Sequence, residues 1–506
     1  MADSPFARYL GTNYAATEDE IAVIEKLIAE PTRQLLSLES EIAKLQKSIE
    51  KLEETRRDLS TYVEAHKALI SPIRRMPLDV LSEIFVACLP THRNCVMSAS
   101  EAPILLGHIC SSWRTLSLCT PRLWASLHVV QPRGNEGYAV VWDRMTQRLE
   151  TMKMWLRRSG QCPLSISLQI GLYHTPADTQ SSHQSIPQGD MFLRELIPFA
   201  GRWRSVRFIL PFDAIKHLEH LTVEDIPMLQ DISVMVTDRE GFGPSEDGPD
   251  LVTTQFKMLD SPRIARFSGC GRDFGDLGEI PLHWDSLQEL SIGGFVWESA
   301  LDGDSTLQLL SRCTRLRSCK LVVYLSREQI QHPPVELPFL HTLYLDVGNM
   351  SSSSSLLDHL NSPALRTLVF RGNGDGLPTV LASCSCLESV TIEISFIDQV
   401  SLLLGLSVLP PTMRHLSLHK FSDPTIGGGA GSAIDDEMLD ILIPNPGGQY
   451  SQCPSLETLD LGIGCQVSES ALQRFISQRM KMTETPCLKR VRVSFGRPTK
   501  LDIVSN

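Results

Sequence analysis

Apolar residues recur from Ile21 onward at alternating steps of three and four. Ile21, Ile28, Leu35, Ile42, Ile49 and Val63 share one seam position, and Ile24, Leu38, Leu45, Leu52 and Leu59 share the other. This heptad predicts amphipathic helix over residues 17–68. Pro31 falls on the seam, and a proline inside a helix removes a hydrogen bond and clashes with the preceding turn, so the pattern predicts two helices, over 18–30 and 33–68. Residues 1–16 read as a disordered tail. The flanking positions Glu39, Glu41, Gln46, Ser48, Glu53 and Thr55 offer acids without basic partners, and Arg56 interrupts the seam. Two parallel copies would gain no ion pairs there. A stripe docked on its own chain is the favoured reading, and a homodimer is left open.

A proline-bearing hinge comes next, and then a short apolar helix. Met76, Val80, Leu81, Ile84, Phe85, Cys88 and Leu89 fall at helical spacing, with Pro77 at the first position and Asp79 at the positive end of the helix dipole. A second helix is predicted through "PILLGHICSSWRTLSLCTPRLW", with Leu106, Ile109, Trp113 and Leu116 on one face and Pro121 as its stop. Trp124 lies just beyond. Residues 138–170 hold an amphipathic helix around Trp142 to Leu156 and the strand-like "PLSISLQI", read as a cap for the repeated array that begins at Trp203.

From Trp203 one pattern repeats: an apolar residue, another three later, a third five later. It runs Trp203/Val206/Phe208, Leu229/Ile232/Val234, Leu287/Leu290/Ile292, Leu316/Cys319/Leu321 and Leu340/Leu343/Leu345. It continues through Leu365/Leu368/Phe370, Leu387/Val390/Ile392, Met413/Leu416/Leu418, Leu456/Leu459/Leu461 and Leu488/Val491/Val493, with a weak copy beginning at Ile264. Most leading residues lie about 22 to 35 apart, the period of leucine-rich repeats. The last two apolar residues of each copy alternate along a short strand and face inward, and stacked copies build a parallel sheet. Three polar stretches, near 172–190, from Thr237 and from Asp423, interrupt the array, as does the serine tract Ser351 to Ser355.

Composition narrows the functional classes. The 506 residues are 42% apolar and 21% charged, and the 13 cysteines have no repeating spacing, which reads as reduced thiols rather than a disulfide framework. No apolar run reaches bilayer length and the first residues lack a secretion signal, so the expectation is a cytoplasmic or nuclear protein without membrane contact. A net charge of -12 argues against nucleic acid as ligand and for a protein partner.

Pro77, Leu81, Ile84 and Phe85, the "CSSWR" of Cys110 to Arg114 and the "TPRLW" of Thr120 to Trp124 together resemble an F-box of the kind abundant in mushroom-forming fungi, where it follows a heptad helix and a "SPIRRLP"-like hinge. The resemblance covers residues 69–128. Met76 stands at a usual leucine, and the loop from Thr91 to Glu101 is longer than in many F-boxes. The expected fold class is α/β: an N-terminal heptad helix, a helical F-box (69–128), a linker and cap (129–200), then an irregular leucine-rich-repeat solenoid with a parallel sheet (201–506). The resemblance implies a substrate-receptor subunit of an SCF-type cullin-RING ubiquitin ligase. Pro77, Leu81, Ile84, Phe85, Ile109 and Trp113 would then contact a Skp-type adaptor, with Trp124 as internal support. The alternative is a repeat scaffold attached to no ligase.

The residues between the repeat leucines are the candidates for holding an unknown protein target: Lys320, Tyr344, Asp346, Arg371, Glu393, His415 and His419, with Arg490 and Arg492 at the far end. Catalysis, metal and cofactors are not expected of this chain. Asp273-Phe274-Gly275 lacks the other kinase motifs, and Gly427 to Gly431 lacks the lysine of a phosphate loop. Cys88, His92, Cys95, His108, Cys110 and Cys119 cluster in sequence, but with irregular spacing and no C-x-x-C.

Overall fold

Two kinds of periodicity, 3.6 and 2, divide this chain. The computed structural model describes residues 4–132, 138–171, 190–236, 256–269, 277–293, 301–324, 330–348, 356–420, 434–443, 453–481 and 488–495. The chain forms two compact units, Met1–Ile84 and Phe85–Asn506. The glycine-rich stretch at 427–431, the Asp273-Phe274-Gly275 triplet, the serine tract and most of the three polar excursions lie outside the described residues.

The first unit is dominated by α1, Glu18–Leu69, a single helix of 52 residues. The backbone N–H and hydroxyl of Thr17 both donate to the Glu20 carboxylate, at 2.9 and 3.0 Å, and these bonds with that from Tyr14 hold the Glu20 carboxyl below its usual range. Residues 4–16, expected to be disordered, contain a 3-10 turn at Ala7–Tyr9, and the Tyr9 and Tyr14 rings stack at 4.0 Å. The predicted break at Pro31 does not occur: the proline sits inside the continuous helix. Its cost is the hydrogen bond to the Leu27 carbonyl, and Leu27 is exposed, so water satisfies the freed oxygen where a core would not. The flanking alanine, leucine, glutamate and lysine residues are good helix formers. No residue of α1 is buried. A 3-10 turn, Pro72–Arg75, forms the hinge, and α2, Leu78–Ala87, crosses from the first unit into the second.

In the second unit, the predicted helix over "PILLGHICSSWRTLSL" is interrupted. Cys110 is extended (φ -159°), which separates α3, Leu106–Ile109, from α4, Ser111–Leu118, and its sulfur accepts the Trp113 N–H at 3.5 Å as a helix cap. The single apolar face expected across this segment is not uniform even within α3, where Leu106 is buried and Ile109 is exposed. Trp124 is buried, donates Nε1–H to the Ser117 carbonyl at 2.8 Å and meets Trp155 edge-on at 4.8 Å.

A parallel sheet makes up the rest. Its path follows chain order from the strand Ser126–Val130 through Leu164–Gln169, Trp203–Leu210, Asp231–Val236, Arg266–Gly269, Glu289–Ile292, Ser318–Tyr324, Thr342–Gly348, Thr367–Arg371, Ser389–Glu393, His415–His419 and Thr458–Cys465 to Arg490–Phe495. The register matches the repeated pattern position by position. Leu343 lies opposite Cys319 and Leu368, Leu345 opposite Leu321 and Phe370, and Leu416 opposite Val390 and Leu459. These residues are all buried, and so are the leading residues from Trp203 to Leu456, including Ile264 of the weak copy. At the last strand Val491 and Val493 are only half-buried.

Two strands precede the first predicted copy. "PLSISLQI" and Ser126–Val130 are members of the same sheet, so the stretch expected to form a separate cap continues the array. The long loop from Thr91 to Glu101 closes the first edge. Val96 bridges to His128, and the Asn94 side-chain oxygen accepts from the Ser126 and Ser165 hydroxyls at 2.9 Å while its amide donates to Ser167 at 3.1 Å. His128 N–H donates to the Cys95 carbonyl at 2.7 Å, so the middle of this edge strand is engaged by the loop.

Four of the helices between later strands begin in a common way, while Leu377–Ser383 starts from Gly376 without a side-chain cap. Asp302, Asp398, Asp435 and Ser468 each accept a backbone N–H from the first turn of the helix that each precedes. Buried Arg479 donates to the carbonyls of Cys453 and Leu442, tying the last helix to the loop before its strand.

Leu368→Ala should cost about 2–5 kcal/mol of stability, because Leu368 is fully buried at the centre of the sheet, whereas exposed Phe339→Ala should stay within about 0.5 kcal/mol; urea unfolding of both variants checks this. Thiol labelling gives a second test. Cys88, Cys110, Cys119 and Cys386 are exposed and should react in the native protein, while Cys313, whose thiol burial pushes up to about 12, and Cys319 should react only on unfolding.

Candidate functional site

Strand alternation places every candidate target-binding residue on the face opposite the buried leucines. The register sorts them into rows. Asp346, Arg371, Glu393 and His419 stand side by side on four adjacent strands. Lys320 and Tyr344 are neighbours one step back along the strands, in the row that ends in Arg492. His415 and Arg490 belong to the row before that, on either side of Thr458.

Burial distinguishes them. Asp346 and Glu393 are 8% and 4% exposed, and Arg371 lies between the two carboxylates, 3.5 Å from Asp346 and 3.7 Å from Glu393. Burial raises the Asp346 carboxyl, Arg371 opposes that shift, Glu393 adds to it and Lys320 opposes it. One Asp346 oxygen, Oδ1, is buried without a hydrogen-bond partner. These two acids are therefore supports for Arg371 rather than contact residues. The Lys320 ammonium lies over the Tyr344 ring at 4.8 Å, a cation–π pair on an accessible part of the face. His415 donates or accepts with Thr458 at 2.7 Å, and Arg492 faces Asp460 at 3.5 Å. Lys320, His415, Arg490 and Arg492 are exposed, and Tyr344, Arg371 and His419 are half-buried.

His419 owes its position to the next strand. A Cβ at Gly462 would lie 2.6 Å from the His419 Cβ, so only glycine lets the two chains approach so closely there.

Sequence reasoning missed a charged column at the strand entrances. The residue after the leading apolar residue carries it in the last five copies: Arg366 pairs with Glu388 at 3.1 Å, and Glu457 pairs with Lys489 at 2.7 Å and Arg414 at 3.8 Å. The signal was present as a polar residue at a fixed place in each copy. It becomes a ladder of opposite charges only once the register is known.

The residues marked by the F-box resemblance also separate by burial. In the first unit, Pro77 and Ile84 are exposed, as are Leu78 and Val80, which the resemblance does not mark; Leu81 is buried. In the second unit, Ile109 is exposed and Trp113 half-buried, with Leu105 and Leu118 also exposed. Phe85 is buried and its ring lies 4.8 Å from that of Trp113. Leu81 and Phe85 are thus the buried members of the expected set, and Pro77, Ile84 and Ile109 the exposed ones.

Among the described residues no three metal-ligating side chains converge, and no helix is long and apolar enough to cross a membrane. A pocket of about 320 Å³ between Leu156, Gly160, Pro198 and Arg202 contains none of the candidates. No protein-family model matches the chain, and no curated protein matches it.

The raised Asp346 carboxyl makes a pH prediction. The unfolded chain releases this proton first, so wild type loses stability as pH rises from the unfolded-state value through the folded one. Asp346→Asn has no such proton. The stability difference between variant and wild type, from urea unfolding, should move in the variant's favour between about pH 3 and about pH 7; a constant difference would show that the carboxylate carries no burial penalty.

Proposed function

We propose that this chain is the substrate-recognition subunit of an SCF-type cullin-RING ubiquitin ligase, with an F-box that docks on a Skp-type adaptor and leucine-rich repeats that hold a protein target. The supporting observation is the split character of α2. Directly after the hinge, one side of this ten-residue helix is committed to the interior through Leu81 and Phe85, while Leu78, Val80 and Ile84 present apolar surface. Such surface on a short helix is a protein-docking feature. The adaptor contacts are accordingly Pro77, Leu78, Val80 and Ile84, with Ile109 and Trp113 as further contacts.

The repeat reading is supported by the agreement between an L-x-x-L-x-L pattern and a parallel sheet in which like positions pair. The target would lie across the open face, with Lys320, Tyr344, His415 and Arg492 as anchors. Function here is proximity: holding a target beside a charged ubiquitin-transfer enzyme raises its effective concentration, and the chemistry occurs on other subunits. The setting would be the cytoplasm or nucleus. The burial of Leu81 and Phe85 favours one other reading, a repeat scaffold in which the helical segment is merely structural and recruits no ligase.

Co-purification of the full chain with a Skp-type adaptor from the same organism separates the two. Val80→Asp with Ile84→Asp should weaken adaptor binding at least about 30-fold, as loss of a hot spot does, and leave the unfolding transition of the array unchanged. Unchanged binding by the variant ends the F-box reading. A folded wild type that captures no adaptor gives the scaffold reading its place.

A further inference from the structure

The seam of α1 is an apolar stripe none of whose residues is buried. Ile28, Leu35, Leu38, Ile42, Leu45, Ile49, Leu52 and Leu59 are all between 49% and 69% exposed. We infer that α1 pairs with the α1 of a second copy of this chain as an antiparallel two-stranded coiled coil. At its centre Ile42 lies beside Leu45 of the second copy, and outward from there Leu35 lies beside Leu52, Ile28 beside Leu59 and Ile24 beside Val63.

Three features of α1 carry this. The first is area. Eleven seam residues are apolar, and each removes roughly 60–120 Å² from water on burial. That amounts to about 700–1,300 Å² per helix, against the ~800 Å² per partner of a stable interface.

The second is the pair of defects in the seam. In a parallel pair in register, Arg56 of one helix meets Arg56 of the other inside the seam, and two like charges taken from water destabilise it. In the antiparallel register Arg56 falls beside Pro31 of the second copy, because the two lie at equal distances from the Ile42–Leu45 centre. Each cation then has a small ring as its neighbour and can reach solvent along its stem.

The third is charge. Residues 18–43 hold seven acidic and two basic side chains, and residues 44–69 hold five acidic and six basic ones. Parallel pairing sets the acidic halves against each other. Antiparallel pairing sets each acidic half against the more basic one and opposes the helix dipoles. At the flanking positions the antiparallel register brings one pair of opposite charges together, Glu18 with Lys67 of the second copy, and the parallel register brings none. A rod of this kind is about 78 Å long and carries its two hinges, at Ser71–Pro72, at opposite ends.

Sedimentation equilibrium on the full chain at micromolar concentration should give the mass of two copies. Ile42→Glu with Leu45→Glu should halve it without moving the unfolding transition of the sheet, since both positions are exposed. The adaptor-docking variant, Val80→Asp with Ile84→Asp, should leave the mass unchanged, which keeps this test independent of the ligase reading. Direction is read by replacing Ser60 with photoreactive p-benzoylphenylalanine in the wild-type seam. The antiparallel register delivers a crosslink to the segment around Glu25 of the second copy, and a parallel one to the segment around Thr55. A monomeric wild type, a dimer that survives the glutamates, or a crosslink around Thr55 overturns the proposal.

Discussion

A short parallel strand cannot bury its own apolar residues; it does so only when its neighbours arrive in the same register. That constraint organises the larger unit. Each copy contributes two inward residues and one leading residue, and their value in burial depends on the copies before and after. The centre of the array satisfies it fully, from Leu290 to Leu461. The two described ends satisfy it differently. At the first edge the loop through Asn94 and Val96 bonds to the strand Ser126–Val130 and its neighbour, whereas the side chains of Arg490–Phe495 stay exposed or half-buried.

The same register controls the electrostatics of the open face. Positions that look equivalent in the repeat acquire different environments according to the residues beside them. Arg371 flanked by Asp346 and Glu393 becomes a buried charged row, while Lys320 beside Tyr344 stays accessible. Burial penalises the second carboxylate that a single guanidinium must serve, hence the raised Asp346 carboxyl. The strand-entrance column works the other way: Glu457 is bonded to Lys489, and its carboxyl is held below the usual range. On this face Lys320, His415 and Arg492 are accessible, whereas Asp346 and Glu393 are buried.

Helical periodicity governs the remainder, and it serves two ends. In α2 it divides one short helix into Leu81 and Phe85 for the interior and Leu78, Val80 and Ile84 for the surface. In α1 it draws a stripe along 52 residues that nothing in the described chain buries. A helix of this length in water needs side-chain partners for its apolar stripe, since propensity alone stabilises it only marginally.

The sequence by itself determined the strands from Trp203 onward, their order of apolar positions and the heptad arm, because both periodicities are local and each repeated copy states the same instruction. It also determined that the nine candidate residues would share one face, since alternation is a property of any strand; that Trp124 would be internal was implied by the F-box resemblance. Only the tertiary structure decided which of those nine are reachable, because burial of Asp346 and Glu393 depends on Arg371 being on the strand between them. The same holds for Leu81 and Phe85: a helical stripe states that a face is apolar, not whether it meets the core or the solvent. The break at Cys110 and the continuity through Pro31 were likewise outside the reach of pattern. One depends on the packing of the residues around it and the other on the exposure of a carbonyl, and neither is written in the identity of the residue.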